Sequence, residues 1–337
     1  MDPILGPHYG PISGPQEWTL GSQFSEIPFP KFALQVHGFW NWSDWLKQQA
    51  AAIGREPVFI NLDETSVKRA SPTAVGMVCS KQWWPGSLRP VQRVPKKDTR
   101  SMITHVGLCT HREDLQAKLP QIFIGNHRCF TPDLVSHVAQ VAPTKVKFWR
   151  EKSSWNTGAL MCRILLELAL VLAEFPGLQP ILVQDCASIH LTKKVLQTAA
   201  ALGIWILPVP ALCTWLLQPC DTHVFSPYKA FLRNAYRACK DEYGNVSPEA
   251  WAKTLIDVST KFLCGRRWLS AFEETGILGG RTRLTRELAS LDVPLVASPA
   301  CMPPLRVVQG LMPRDRVVPY SQLLHEPLGH PVRVRFG

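Results

Sequence analysis

Apolar residues in this chain fall into short runs that end on a polar or acidic residue, and into longer stretches where they recur every three or four positions. The first pattern predicts buried strands and the second amphipathic helices. Residues 180–183 form an apolar run that closes on Gln184 and Asp185, as a strand covered on both faces would. In residues 191–202, Leu191, Val195, Leu196, Ala199 and Leu202 share one helical face, with Lys193, Lys194 and Gln197 elsewhere and Gly203 as a stop. Residues 204–207 are apolar again and end at Pro208, so the whole predicts a strand, helix, strand unit with parallel neighbours. Asp221 follows the second strand, just before another helix.

Upstream, residues 57–62 repeat the motif of an apolar strand ending in acids, Asp63 and Glu64. Alternation in residues 102–108 and the apolar run 119–124, joined by a charged turn at 111–114, add two strands and predict a meander with the first. Thr131-Pro132 opens a short helix to about residue 141, a strand-like stretch covers 145–149, and Leu160, Ile164, Leu165, Leu168 and Leu172 mark a long helix beginning near Thr157. Beyond Asp221, helices are expected at about 223–242, 248–263 and 266–274, the middle one opened by Ser247-Pro248. The three expected segments are an irregular arm over 1–54 with a short helix capped by Ser43, a domain over 55–278, and a Pro- and Arg-rich tail over 279–337 with little structure of its own. Residues 66–100 are expected to be a long connection with a minor strand at 74–79.

Composition narrows the partner. Lys and Arg number 37 against 26 Asp and Glu, a formal charge of +11, which favours a polyanion. The ten cysteines include no Cys-x-x-Cys pair, which argues against structural zinc, and a start without an apolar leader sets the expectation of reduced thiols. Residues 159–175, the most apolar segment, are interrupted by Arg163, Glu167 and Glu174 and read as a core helix, so no membrane span is expected.

Acids at the carboxyl ends of strands in an open α/β sheet converge on one crevice. Asp63, Asp185 and Asp221 are such acids, and together they outline a metal site. Glu64 competes with Asp63 for the same place; neighbours on a strand point to opposite faces, and Asp63 is the choice. His190 either points into the site or caps the helix that follows it. Cys186 and Cys220 read as small buried fillers, and Trp83, Trp84, Trp155 and Trp215 as packing residues.

Five motifs in this order resemble the DDE superfamily endonuclease domain of pogo- and Tigger-like transposases, in the wider mariner group: Leu62-Asp63-Glu64-Thr65, Ser154-Trp155, Gln184-Asp185 with Ala187 and His190, Leu216-Leu217-Gln218-Pro219 with Asp221, and Ala271-Phe272 with Gly276. The match spans about residues 55–278, with 35 residues between Asp185 and Asp221, a spacing usual for such domains. The resemblance implies an RNase H-like mixed sheet, three antiparallel strands followed by parallel ones, flanked by helices and with a helical C-terminal extension. It implies catalytic and metal-holding roles for Asp63, Asp185 and Asp221, two Mg²⁺ or Mn²⁺ ions, DNA phosphodiesters as substrate, and a nuclear setting. Hard oxygen donors suit those ions. Lys96, Lys97, Lys193 and Lys194 are the candidate contacts to nucleic acid; no small-molecule cofactor is expected, and self-association is left open. The first 50 residues are too short and too rich in Gly and Pro for the helix-turn-helix region that full transposases carry. The alternative is therefore a catalytically silent remnant that binds DNA or chromatin.

Overall fold

The computed structural model of the protein describes residues 29–68, 102–211, 213–240 and 246–281, together with 284 and 286. The expected strand at 74–79, Trp83, Trp84, Lys96, Lys97 and nearly all of the tail lie outside the described residues.

The other strands are arranged around β1 (Glu56–Lys68). Its alternation sends Val58, Ile60 and Leu62 into one apolar layer and Phe59 and Val67 into the other, so its first half, residues 57–62, is apolar but for Asn61. β2 (Met102–Thr110) lies antiparallel to it, and β3 (Gln121–Asn126) antiparallel to β2. The short helix α2 (Glu113–Gln116) turns the chain between them, and these three strands are the expected meander. β4 (Val146–Glu151) then runs parallel to β3 on the outer edge, reached through α3 (Pro132–Val141). β5 (Leu178–Gln184) lies parallel to β1 on its other side, and β6 (Trp205–Pro208) lies parallel to β5. Among the described residues the sheet has six strands in the order β4-β3-β2-β1-β5-β6. This is an RNase H-like sheet: a meander, a return beside the first strand, and a parallel continuation, with β4 added at the far edge.

The helices lie on both faces. α4 (Gly158–Leu172) and α5 (Lys193–Ala201) cover the layer that holds Ile60 and Leu62, through Leu160, Ile164, Leu165, Leu168 and Val195. Threonine begins each: Oγ of Thr157 accepts from the Leu160 amide and that of Thr192 from the Val195 amide. The other face carries α1 (Phe29–Ala52), α3, α7 (Phe225–Ala238), α8 (Pro248–Val258) and α9 (Leu269–Glu274), the last three making the expected helical extension. Between β6 and α7 come the single turn α6 (Thr214–Leu217) and a wide π-helical turn at Cys220–Val224; a second π turn, Ser259–Leu263, ends α8.

Two expectations need correction. Residues 29–43, read as irregular, belong to the 24-residue helix α1. Gly38 and Pro30 disguise it, yet Val36, Phe39, Trp40, Leu46 and Ala50 make a buried stripe at helical spacing. Ser43 is no cap: it sits inside that stripe, and its hydroxyl donates to the Ile277 carbonyl at 3.1 Å. The helix is held further by Arg281, whose guanidinium reaches both carboxylate oxygens of Asp44 at 2.6 and 2.9 Å. Trp40 lies close enough to Gly276 that a Cβ there would come within 2.4 Å of the indole nitrogen, and Gly276 also takes a φ of +78°. The second correction is to α5, which begins at Lys193 with Thr192 as its cap, so His190 is freed for another role. Among the described residues no helix is long and apolar enough to cross a membrane.

Candidate functional site

The parallel pairing of β1 with β5 ends at Asn61 opposite Val183. The same register carried two residues further sets Asp63 level with Asp185, which directly follows the end of β5; Asp63, expected to end its strand, instead lies within β1, whose pairing with β2 continues to Lys68. Asn61 is fully buried and stitches this edge together, its amide donating to the Val183 carbonyl at 2.9 Å and its oxygen accepting from the Cys220 amide at 2.6 Å. The second bond holds the π turn that carries Asp221. The turn begins where the Gln218 carbonyl accepts from both the Asp221 and Thr222 amides, at 3.1 and 3.0 Å. Gly107 lets this region approach the sheet: it pairs with Asp63 across β1 and β2, and a Cβ on it would meet the Phe225 ring at 2.9 Å.

Asp63 is only 8% exposed, and its carboxyl is held well above the ordinary carboxylate range. Burial is the largest cause; the Asp221, Glu64 and Asp185 carboxylates add to it, against a hydrogen bond from the Glu64 amide. Asp221 itself is exposed. The half-buried ammonium of Lys229, one turn into α7, feels both Asp221 and Asp63; burial nevertheless leaves its pKa below the usual lysine value.

Glu64, one residue on, points to the opposite face and belongs to a second arrangement. His190 is 1% exposed and lies between two acids, Nε2 at 2.9 Å from Glu64 Oε1 and Nδ1 at 2.6 Å from Asp185 Oδ1. The Asn156 amide donates to the same Glu64 oxygen. Burial alone would depress the imidazole, but the two carboxylates outweigh it and hold His190 up to about 10, so both ring nitrogens donate at neutral pH. Asp185 is held below the usual range: burial opposes this, and the bonds from His190 and from the Ala187 amide, the latter at 2.9 Å, overcome it. His190 thus neither caps α5 nor stands free for a phosphate.

Asp63 feels the charge of both Asp221 and Asp185, while Asp185 is bonded to His190 and through it to Glu64. In donor chemistry the three aspartates fit a hard divalent cation: carboxylate oxygens, with Asp63 ionised only against its neighbours' charge. Among the described residues, no three of His, Cys, Asp and Glu are gathered tightly enough to hold a metal ion as they stand. Cys186 and Cys220 bring no thiolate, since burial pushes Cys186 up to about 12 and holds Cys220 well above an ordinary thiol. Cys220 packs with its Sγ 3.7 Å from that of Cys109, as a buried filler would. Lys193 and Lys194 are exposed in the first turn of α5. Trp155, read as a packing residue, is instead 80% exposed.

Sequence reading missed Asn61, Asn156 and Lys229. Asn61 carried the one available signal, a polar residue within an otherwise buried strand. Asn156 and Lys229 look like ordinary helix-start and helix-surface residues until the chain is folded.

No protein-family model matches the chain, and no curated protein matches it. Among solved structures the chain is similar to the Mos1 strand transfer complex, with a TM-score of 0.43 and 14% identity, covering 80% of this chain and 64% of that one. For a pre-cleavage Mos1 transpososome the TM-score is 0.43 at 12% identity, over 79% and 64% of the two chains. For the Mos1 mariner paired end complex with Mn the TM-score is 0.40 at 15% identity, over 76% and 62%. The chain thus spans less than two thirds of those chains' length. The RNase H-like assignment stands on the strand order and directions of the sheet itself.

Proposed function

We propose that the protein is a metal-dependent DNA endonuclease and strand-transferase domain of transposon origin, of the pogo- and Tigger-like type, working in the nucleus. The observation that supports this reading is the setting of Asp63, a buried carboxyl that is ionised only against the charge of Asp221 and Asp185 from two distant segments. Asp63, Asp185 and Asp221 would hold two Mg²⁺ or Mn²⁺ ions, which when bound activate an attacking water or 3′-hydroxyl and stabilise the leaving oxygen. His190 orients Asp185 by occupying one of its oxygens, and Glu64 with Asn156 fixes the imidazole from behind.

DNA has a basic approach to this site. Lys229, Arg233 and Arg237 recur every four residues on α7, about 6 Å apart along the helix, leading outward from Asp221. Arg233 and Arg237 are exposed, and neither has an acidic partner among the described residues. Replacing both by Ala is expected to weaken DNA binding alike for all sequences and to reduce the slope of log affinity against log salt by about 2. Anisotropy titrations at several salt concentrations measure it; an unchanged slope places the DNA elsewhere.

The test of function is nicking of supercoiled DNA by the purified protein with Mg²⁺ or Mn²⁺, and its loss with chelator. A protein that binds DNA but neither binds these ions nor nicks supports the second reading, a silent DNA-binding remnant. That reading draws on the absence, among the described residues, of three donors gathered for a metal.

A further inference from the structure

We infer that the indole of Trp155 is a stacking platform for an unpaired nucleobase at the rim of the acid cluster. The inference rests on the DNA-cleaving reading and adds to it where a base beside the reacting strand is held.

Trp205 and Trp251 are 1% and 0% exposed, whereas Trp155 is 80% exposed. A large aromatic left in water is a binding surface waiting for a flat partner, provided that its backbone is held still. It is held on both sides. The Trp155 amide donates to Ser153 Oγ at 3.2 Å, and Ser154 Oγ accepts from the Asn126 amide at 3.1 Å. Asn156 Oδ1 accepts from the Thr157 amide at 2.9 Å, and its Nδ2 donates to Glu64. The ring therefore stands on a fixed stalk one residue from Asn156, and Asn156 is joined through Glu64 and His190 to Asp185.

The surroundings favour a base over a protein partner. Lys152, Ser153, Ser154 and Asn156 flank the indole in sequence, a polar run that gives it no apolar neighbour along the chain. Close by, the starts of α4 and α5 come together: a Cβ on Gly158 would lie 3.4 Å from Thr192 Oγ1. The exposed Lys193 and Lys194 follow Thr192 directly. A strand with a phosphate at those lysines would have a base near the indole, and any base offers a π face, so the contact is tolerant of sequence.

The test compares binding of the full chain to a blunt DNA duplex and to the same duplex with a short unpaired thymidine tail, by fluorescence anisotropy with chelator present. Wild type is expected to prefer the tailed duplex; Trp155→Ala should lose about ten-fold on it and nothing on the blunt one, while Trp155→Phe keeps most of the preference. Trp155→Ala binding the tailed duplex as wild type does overturns the inference and leaves the DNA reading standing. A Trp155→Ala change in self-association by light scattering, with DNA affinity unmoved, also overturns it and assigns the indole to a second copy. Wild type that binds neither duplex overturns the DNA reading and this inference with it.

Discussion

Asp63→Asn is expected to abolish metal-dependent nicking and, in the absence of metal, to make the protein more stable. The carboxyl's pKa is raised by burial first and then by Asp221, Glu64 and Asp185, so the folded state binds its proton more tightly than the unfolded state does. Stability is then lost as pH rises above the ordinary carboxylate value of about 4 and on through the raised one. At neutral pH the ionised group costs stability, which the neutral amide restores. The amide also keeps the bond that matters locally, since its oxygen can still accept from the Glu64 amide at 2.8 Å. Thermal melts with and without Mn²⁺ measure both halves: without metal the variant should melt several degrees higher, and with metal wild type should gain more than the variant. A variant that melts lower than wild type would mean that the Asp63 carboxylate is a structural group. Asp185 is a less clean choice for this experiment, because its carboxylate accepts from His190 and the Ala187 amide and its loss would damage the fold as well.

His190→Gln has the opposite expected effect, a loss of about 2–3 kcal/mol at pH 7. Removing one partner from a buried ionic cluster leaves the others uncompensated. The figure is kept well under the full shift because Glu64 and Asp185 are 19% and 33% exposed and water screens them. The pH dependence follows from the sign. His190 has a raised pKa, about 10 against about 6.5 unfolded, so its contribution is fully present below pH about 6.5 and is lost as pH climbs towards 10. Denaturant melts at pH 6, 8 and 10 should show wild type losing stability over that window and His190→Gln changing much less. Equal slopes in the two proteins would mean that the imidazole is not held charged between the acids. Asp63→Asn, measured alongside, separates the carboxyl's contribution from the imidazole's.

Much of the fold was legible locally. Thr131, Thr157 and Ser247 each accept a backbone amide at a helix start, as their placement before apolar-periodic residues predicts. β1, β2 and β3 form the expected meander, and the short charged connection at 111–114 specifies the antiparallel pairing of β2 with β3. α1 was obscured because glycine and proline carry strong local signals, while its real support is distant: Thr275 and Ile277 accept from Trp40 and Ser43. The length of β4 was readable, but its place on the outer edge beside β3 was not.

The sequence by itself determined that Asp185 follows the end of a buried strand, because such a strand must be apolar until it leaves the core; the same rule misplaced the end of β1, which runs past Asp63 to Lys68. It also determined that Asp63 and Glu64 face opposite ways, because side chains on a strand alternate. Only the tertiary structure decided that Asp63 meets Asp221 on one face while Glu64 meets His190 and Asn156 on the other, and that Asp63 is pushed towards protonation while Asp185 is held ionised. It alone left Trp155 in water beside them. The reason is that burial and charge are sums over neighbours far away in the chain: strand register and the docking of α4, α5 and α7 choose those neighbours, and no local pattern encodes that choice.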